Sequence, residues 1–282
     1  MSTQFQQSQQ VWFITGTSSG FGEAFARHAI AAGHAVVATA RDVSRLEHLA
    51  ALAPERVLVQ RLDVTQADEA DAAVAAAIAR FGRIDVLVNN AGYGVVGAVE
   101  ETPAAELRAL MDTNFFGAVT VTNAVLPSMR AQNNGAIVNI SSMGGQMSFA
   151  GFGAYSASKF ALEGLSEALA QEVAPFGIKV LIVEPGAFRT NLAGAGMRHM
   201  PVLDAYRDVV GGTRDLAHSM HQTQEGDPYK AAAAIAEALA APVTPLRLQL
   251  GRDAIDAVRN HSRQLLADLA QWEAIGADTR VD

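Results

Sequence analysis

The 282-residue sequence has no cysteine and no long apolar run. Without cysteine, disulfide bonds and thiolate metal sites are excluded, and the chain suits a reducing compartment. A membrane-spanning helix needs roughly 20 consecutive apolar residues, and no stretch of the sequence approaches that length. The first ten residues, MSTQFQQSQQ, also lack the basic and then apolar pattern of a signal peptide. We therefore expect a cytoplasmic protein without a membrane partner.

Basic clusters are missing as well. The formal net charge is −8 at pH 7, and the charged residues are scattered along the chain. Proteins that bind nucleic acid or anionic lipid usually carry a basic patch, so both partners are excluded. Hydrophobic residues make up 50% of the chain, which is enough for a substantial core. An α/β chain of this length commonly forms one domain, and we expect a single domain over 1–282.

Short β-rich runs alternate with longer Ala-rich segments of helical period, which indicates repeated βαβ units. In 66–81, for example, apolar residues recur at steps of three and four from Ala67 to Phe81, and Thr65 is placed to cap that helix. Right-handed crossovers put helices on both faces of a parallel sheet. The predicted fold is a Rossmann-type doubly wound α/β domain with seven parallel strands in the order 3-2-1-4-5-6-7. The predicted strands are 10–15, 34–39, 56–60, 84–88, 135–140, 178–183 and 246–250.

The segment 190–229 departs from this alternation and is rich in Gly, Met and His. Long irregular insertions in compact domains are often lids or binding loops, so we interpret this one as a substrate-binding insertion. Doubly wound sheets bind ligands outside the carboxyl ends of their strands. Residues that directly follow a strand are therefore the candidates for the functional site.

A glycine-rich turn, TGTSSGFG at 15–22, follows the first strand and leads into an amphipathic helix. Glycines allow a tight turn and a close approach to a pyrophosphate, whose charge is attracted by the free amides at a helix start. The same stretch also fits the G-x-S-x-G nucleophile elbow of α/β-hydrolases, with Ser18 as the nucleophile. That alternative needs a downstream acid and histidine, and the later histidines do not fall on evident post-strand loops.

The second predicted strand ends in Thr39-Ala40-Arg41, about 20 residues after the glycine turn. An acidic residue at this place would bind a ribose 2′-hydroxyl, and none is present. The guanidinium of Arg41 suits a 2′-phosphate instead, which favours NADP over NAD as the cofactor. Alternatively, Arg41 is an ordinary surface arginine paired with Asp42.

Lysine and tyrosine are scarce, so the spacing of Tyr155 and Lys159 is informative. By chance, a Tyr-x-x-x-Lys pair has an expectation of about 0.04 with these counts. On a helix, residues four apart share a face, and a nearby ammonium favours the phenolate of a tyrosine. Tyr155 is therefore a workable general acid or base. An exposed i, i+4 pair on a solvated helix face is the alternative.

Polar residues precede this pair at places where the crevice is expected. Ser141 and Ser142 follow the strand 135–140, although serines there could equally serve as turn residues. Asn114 lies among apolar neighbours in a predicted helix. A buried asparagine needs hydrogen-bond partners, so Asn114 is either a structural link or a relay.

Taken in order, these motifs strongly resemble the short-chain dehydrogenase/reductase family, with the match running from about residue 10 to 190. Within the family, the run 155–169 is locally similar to hydroxysteroid-dehydrogenase-like members. The resemblance implies a homodimer or homotetramer. The matching motifs are T-G-x-x-x-G-x-G at 15–22, Asp63-Val64, N-N-A-G at 89–92, Asn114, Ser142, Y-x-x-x-K at 155–159 and Pro185-Gly186.

The resemblance also implies roles for individual residues. Tyr155 is the expected catalytic acid or base, and Lys159 is expected to bind the nicotinamide ribose and lower the pKa of the phenol. Ser142, thirteen residues before Tyr155, is expected to orient the substrate carbonyl, and Asn114 to order a water of the proton relay. The expected cofactor-binding residues are Gly16, Ser18, Gly20, Phe21, Gly22, Arg41, Asp63, Val64, Asn90, Ala91, Gly92, Tyr155, Lys159, Pro185, Gly186 and Thr190.

The predicted function is an NADP(H)-preferring oxidoreductase that interconverts a ketone and a secondary alcohol on an apolar small molecule. A nucleotide-sensing scaffold without turnover is a further alternative. No metal is expected, because His218 and His221 lack carboxylate support. Apolar side chains suit such a substrate, although each could instead pack the insertion onto the domain. The candidate pocket walls are Val95, Val96, Gly145, Phe149, Phe152, Leu192, Met197, Met200, Val202, Leu203, Tyr206 and Val210.

Overall fold

The computed structural model describes residues 9–281, and a seven-stranded parallel sheet forms its centre. The strand order is β3-β2-β1-β4-β6-β7-β9, which confirms the predicted Rossmann-type order. Two short strands, β5 (Gly94–Val96) and β8 (Met197–His199), pair in a separate parallel sheet that the sequence did not predict. The main strands are β1 (Val11–Ile14), β2 (Ala35–Ala40), β3 (Val57–Arg61), β4 (Val86–Asn89), β6 (Gly135–Ile140), β7 (Ile178–Pro185) and β9 (Arg247–Leu250).

Nine α-helices connect or flank these strands within residues 9–281. One turn of π-helix, Asp112–Phe116, joins the fourth and fifth of them into a continuous rod. The helices are α1 (Gly20–Ala31), α2 (Glu47–Ala50), α3 (Ala67–Phe81), α4 (Ala104–Met111), α5 (Gly117–Gln132), α6 (Gly153–Val173), α7 (Arg207–Ser219), α8 (Pro228–Ala240) and α9 (Arg252–Ala277).

Alternation along the buried strands divides the core into two layers. In β1, Trp12 and Ile14 point to the layer formed with α1 and α8, whereas Val11 and Phe13 point to the layer formed with α3, α5 and α6. Strands covered on both faces are apolar throughout, and all four residues of β1 are buried. The register places Phe13 beside residues of both neighbouring strands. This core fixes the carboxyl ends of the strands along one edge.

The start of α3 differs from the expectation. The helix begins at Ala67, and Gln66 rather than Thr65 occupies the position before it. Thr65 instead forms a local turn, because its amide and its hydroxyl both donate to the carboxylate of Asp63, at 3.0 and 2.8 Å. The predicted cap at Thr65 is therefore wrong, since a threonine two residues after an aspartate can satisfy its polar groups locally.

The segment 190–229 contains β8, α7 and the first residues of α8 rather than only loop. Its strand β8 pairs with β5, and a bridge joins Phe188 to Gly226. A buried ion pair between Arg214 of α7 and Glu101 adds a third attachment, with 2.6 Å between the charged atoms. The segment is thus attached beside the carboxyl edge of the main sheet. No helix within residues 9–281 is long and apolar enough to cross a bilayer.

Candidate active site

A cavity of about 930 Å³ lies at the carboxyl ends of the strands, where the sequence placed the site. Of the predicted site residues, Gly22 and Asn114 are not in its lining. All of the others are: Gly16, Ser18, Gly20, Phe21, Arg41, Asp63, Val64, Asn90, Ala91, Gly92, Ser142, Tyr155, Lys159, Pro185, Gly186 and Thr190.

The glycine turn after β1 has a backbone that side chains would block. Gly16 and Gly20 have φ of 70° and 62°, in the left-handed region that glycine adopts without strain. Gly22 lies against the carbonyl of Gly16, so a Cβ at this position would overlap that oxygen. Gly22 therefore shapes the turn from behind the lining.

Asn90, at the end of β4, braces this turn. Its side-chain nitrogen donates to the carbonyls of Thr15 and Gly16, at 2.8 and 3.1 Å. The amides of Asn90 and Ala91 both donate to the hydroxyl of Thr15, at 2.9 Å each. Among the described residues, the side chain of Ser19 caps no amide of α1. The first amides of α1 and the glycine backbone thus form a cradle that fits a pyrophosphate.

Two arginines line the cavity beside the end of β2. Arg41 directly follows the strand, and Arg45 lies one turn further along. Asp42, the alternative partner considered for Arg41, instead accepts hydrogen bonds from the amide and hydroxyl of Ser44. Arg45 was missed in the sequence, although its spacing of four from Arg41 was a usable signal. Two guanidinium groups at this end make a favourable environment for a phosphate.

The predicted catalytic side chains meet at the other end of the cavity. Tyr155 and Lys159 lie on α6, and the Lys159 ammonium is 5.8 Å from the centre of the Tyr155 ring. That ammonium donates to the carbonyl of Ile140, the last residue of β6, at 2.9 Å. The hydroxyl of Ser142 accepts the amide hydrogen of Gly144 at 3.0 Å, and the ring of Tyr155 lies beside it against Gly144. Tyrosine, lysine and serine therefore form one cluster.

The electrostatics of this cluster differ from the expectation for the phenol. Burial raises the pKa of Tyr155, and the nearby hydroxyl of Ser142 only partly opposes that effect. We expected Lys159 to lower the pKa of the phenol. In this structure it does not, because the ammonium lies beside the ring and donates to a backbone carbonyl. Burial also lowers the pKa of Lys159 to about 8, against an opposing effect of Glu163. At neutral pH, the phenol is thus protonated beside a cationic lysine.

The structure distinguishes the two serines that follow β6. Ser141 is buried, and its hydroxyl donates to Glu163 at 2.7 Å, behind the site. The hydroxyl of Ser142 is the one on the Tyr155 side, where both side chains lie against Gly144. Their opposite directions follow from the extended backbone of Ser142, which alternates side chains between the two sides. The geometry therefore supports Ser142 as the serine that meets a substrate oxygen.

Asn114 lies in the π turn and is 2% exposed. Its side-chain oxygen accepts the amide of Tyr93 at 3.0 Å. Its side-chain nitrogen donates to the carbonyl of Tyr93 at 2.9 Å and to the hydroxyl of Ser158 at 3.2 Å. Asn114 therefore fixes the backbone after β4 against α6, next to Lys159. A role in a proton relay stays a prediction.

A buried polar network that the sequence did not reveal supports the floor of the site. Glu163 and Glu184 are both buried, and the guanidinium of Arg247 lies 3.2 Å and 3.1 Å from their carboxylates. Burial, together with the charge of nearby Glu163, raises the pKa of Glu184 to about 7 against the opposing effects of Gln249 and Arg247. Glu184 directly precedes Pro185, so the network anchors the end of β7.

The loop after β7 is held by the first turn of α9. Asp253 accepts the amide hydrogen of Ala187 at 2.7 Å and packs against Gly186, where a Cβ would overlap its carboxylate. Thr190 accepts the amide of Leu192 at 3.3 Å and contacts the glycine turn near Gly20. The expected nicotinamide-side residues therefore lie on a backbone that two distant elements fix.

Three side chains at the mouth of the cavity were also missed. Arg198 of β8 lies 4.1 Å from the centre of the Tyr93 ring and pairs with Glu106 of α4 at 2.7 Å. The hydroxyl of Tyr93 donates to the same carboxylate at 3.1 Å. Burial, followed by the charge of Glu106, raises the pKa of Tyr93 to about 12. This trio links the segment 190–229 to the body of the fold.

Most of the predicted apolar wall residues lie outside the cavity lining. Among the described residues, Leu192 is the one predicted wall residue in the cavity lining. Val95 and Met200 instead form a small core with Leu110 and Ala154. For Val95 and Met200, the alternative interpretation therefore holds: they pack the segment onto the domain.

The histidines also lie away from the chemistry. No histidine of the described chain lines the cavity, so Ser18 has no imidazole beside it there. His218 stacks on His199, with 3.9 Å between ring centres, and His221 packs against Gly194. Within residues 9–281, no group of three or more metal-ligating side chains comes together.

Comparisons with known proteins agree with this geometry. A family model for short chain dehydrogenase matches residues 10–200. An oxidoreductase of Botryotinia fuckeliana is 38% identical over 94% of this chain and 97% of its own length. The 3-ketodihydrosphingosine reductase of Bacteroides thetaiotaomicron is 42% identical over 86% of this chain and 88% of its own.

A solved structure is similar to this chain over almost its whole length. The crystal structure of a short-chain dehydrogenase from Streptomyces avermitilis has a TM-score of 0.92 and 53% identity, covering 97% of this chain and all of the other. The chain belongs to the short-chain dehydrogenase/reductase family, and it is an NAD(P)-dependent oxidoreductase. Family membership excludes the hydrolase alternative.

Proposed function

We propose that the protein is an NADP(H)-preferring oxidoreductase that interconverts a ketone and a secondary alcohol on an apolar small molecule. The observation that carries this proposal is the protonated phenol of Tyr155 beside the hydroxyl of Ser142 at the wall of the cavity. A hydroxyl pair of this kind can bind one carbonyl oxygen and deliver a proton to it. When bound, the nicotinamide supplies or accepts the hydride.

The protein's own residues account for the proton and for positioning. In the reductive direction, Tyr155 donates its proton to the substrate oxygen, and Ser142 orients that oxygen. Lys159, fixed by the carbonyl of Ile140, provides positive charge near the phenolate that remains. Burial keeps the phenol protonated at neutral pH, so the proton is present when the ketone binds.

The preference for NADP rests on the arginines beside β2. Arg41 and Arg45 line the cavity, and the strand end lacks an acidic residue that would repel a 2′-phosphate. The ketone assignment draws on a relative, the 3-ketodihydrosphingosine reductase, which is named for the reduction of a ketone. The segment 190–229 contributes Leu192 and Arg198 to the lining, so we assign substrate selection to it. Similarity to hydroxysteroid-dehydrogenase-like members stays a prediction.

Assembly into a homodimer or homotetramer is part of the same proposal. Phe116 and Phe160 are 54% and 47% exposed next to and on the helices that follow β5 and β6. Large exposed aromatic side chains on neighbouring helices commonly mark a protein interface.

Replacing Tyr155 by Phe tests the proposed chemistry. We expect Tyr155→Phe to lower kcat for ketone reduction by about 10³-fold, because the proton donor is removed while the ring stays. NADPH binding, measured by fluorescence, should persist. Tyr206→Phe is a matched control, since that hydroxyl donates to Glu100 at 2.6 Å and Tyr206 is outside the lining. A parent-like rate for Tyr155→Phe would exclude Tyr155 as the acid, and binding without turnover by the parent would indicate a sensor.

Replacing Arg41 by Ala tests the cofactor preference. The loss of a charge-assisted contact to a phosphate should raise the Kd for NADPH by about 10- to 100-fold and leave that for NADH nearly unchanged. Arg80→Ala serves as the control, because this exposed arginine pairs with Glu55 on the surface. Tighter binding of NADH than of NADPH by the parent protein would refute the preference.

A further inference from the structure

The last helix extends away from the body of the protein. In α9, Ala254 is buried and the residues 255–258 are partly covered, but every residue from 262 to 277 is exposed. At 1.5 Å per residue, the exposed part is about 24 Å long. A helix of this length is marginal in water without packing. Its far end needs a partner to be stable.

One face of this exposed part is apolar. Five large hydrophobic side chains there are each more than half exposed to solvent, and a contiguous patch of this kind marks an interaction site. They are Leu265, Leu266, Leu269, Trp272 and Ile275.

The spacing of this face is that of a coiled coil. Leu265, Leu269 and Trp272 are separated by steps of four and three, and Val258 and Ser262 continue the same alternation toward the body. Such a 3,4 repeat places the seam along one side of a helix, where a second helix packs. The length of the repeat, from 258 to 276, is suited to pairing with an equally long helix.

The charges beside the seam favour a second copy in the antiparallel direction. In a parallel pair, Asp268 of each chain would face Glu273 of the other, which places like charges together. In an antiparallel pair, the seam layers, such as Leu265 against Leu269, are centred on 267. The positions that directly follow Val258, Leu265 and Trp272 then lie opposite one another on one flank of the seam, so Arg259 of each chain faces Glu273 of the other. This arrangement makes two attractive contacts against one repulsion, between the two copies of Asp268. Because both partners are the same helix, each arginine meets a glutamate.

We propose that the α9 segment 258–276 pairs with the same segment of a second copy in an antiparallel two-helix coiled coil. This interface is distinct from the one proposed on the helices after β5 and β6. It covers the five exposed apolar side chains and requires no other protein. The pairing does not depend on the proposed reaction, since the residues 262–277 are absent from the cavity lining.

Single cysteines test the pairing and its direction, because the natural chain contains none. In the antiparallel pair, residue 266 meets its own copy across the two-fold axis, so full-length Leu266→Cys should form a disulfide-linked dimer in a redox buffer. Residue 272 would lie about 15 Å from its copy, beyond disulfide reach. Trp272→Cys and the outward-facing Ala270→Cys should therefore stay mostly uncrosslinked. If Trp272→Cys forms more disulfide-linked dimer than Leu266→Cys, the antiparallel direction is overturned. If neither variant forms more of it than Ala270→Cys, the pairing itself is overturned.

Sedimentation provides an independent readout on the full-length protein. Leu269→Glu places a charge in the seam and should halve the mass of the assembly, whereas Ala270→Glu, with the same charge on the outer face, should keep it. Both variants should retain the parent's turnover, because positions 269 and 270 are exposed and lie outside the cavity lining. An unchanged mass for Leu269→Glu, or a monomeric parent, overturns the proposal.

Discussion

The strands of the main sheet end along one edge, which carries the proposed catalytic residues and is called the catalytic edge. This edge and the segment 190–229 are held in place by different interactions. The catalytic edge continues from strands that are buried on both faces, and β1, β2, β4 and β6 are buried along their whole length. The segment, in contrast, is attached by one short strand pairing, one bridge, a small apolar core around Met200 and two groups of polar contacts. The comparison indicates that the chemistry is fixed by the core, whereas the mouth of the cavity is adjustable.

At the catalytic edge, backbone groups hold the functional side chains. Lys159 donates to a strand carbonyl, and Asn90 donates to two carbonyls of the glycine turn. Such bonds persist when surface side chains change. At the segment, side chains do this work: Glu101 accepts from Arg214 and from the amides of Ala98 and Leu203. A single substitution there should have a large local effect.

The largest expected effect comes from breaking the buried pair of Glu101 and Arg214. We expect Arg214→Met to lower the free energy of unfolding by about 3–5 kcal/mol, because it leaves a buried carboxylate without its cation. Arg214 also donates to the carbonyl of Met200 at 2.8 Å, so hydrogen exchange of 197–219 should accelerate. Urea denaturation and exchange measured by mass spectrometry check both effects.

Arg207→Met on the same helix is the control for that prediction. Arg207 and its partner Asp204 are exposed, so their pair contributes little and stability should change by less than about 1 kcal/mol. NADPH affinity should be kept in both variants, because Arg214 and Arg207 are outside the lining. Loss of cofactor binding in Arg214→Met together with a rigid segment would contradict the division between the two regions.

A smaller effect is expected at the catalytic edge, from the buried charge of Lys159. Burial lowers the pKa of this ammonium to about 8, whereas an unfolded lysine keeps its proton to about 10.4. Between these values the unfolded chain binds more protons, so the stability of the parent should rise with pH. We expect a gain of about 1–3 kcal/mol from pH 8 to pH 10 that Lys159→Met lacks.

Denaturation midpoints at several pH values measure this difference. Lys179→Met is a matched control, because Lys179 is exposed and its ammonium donates to the carbonyl of Leu239. That variant should follow the parent across the whole range. Identical pH dependence of the parent and Lys159→Met would show that the lysine charge is solvated. The catalytic edge would then hold no desolvated charge at Lys159.

The smallest expected effect concerns the mouth of the cavity. Arg198→Ala removes the cation over the Tyr93 ring and the pair with Glu106, both of them partly exposed. We expect less than about 1 kcal/mol in stability and a several-fold change in KM for the ketone, with kcat kept. Steady-state kinetics separate the two constants. A loss of kcat with an unchanged KM would place Arg198 in the chemistry rather than at the entrance.

Much of the fold and of the site could be predicted from local patterns. The strand order, the glycine turn and the pair of Tyr155 and Lys159 depend on neighbours in the chain and on the rule that parallel strands end at one edge. The two short strands β5 and β8 were not predictable in the same way. Their three residues each are too few for a periodic signal, and they pair across about 100 residues of sequence.

The sequence by itself determined the family motifs, the place of the crevice and the residues that could exchange a proton. Only the tertiary structure decided that the hydroxyl of Ser141 points away from the site to Glu163, and that burial raises the pKa of Tyr155. It also brought Arg198 to Tyr93 and Arg247 to Glu184. The physical reason is that side-chain direction and desolvation depend on packing between distant segments, and no local pattern encodes that packing.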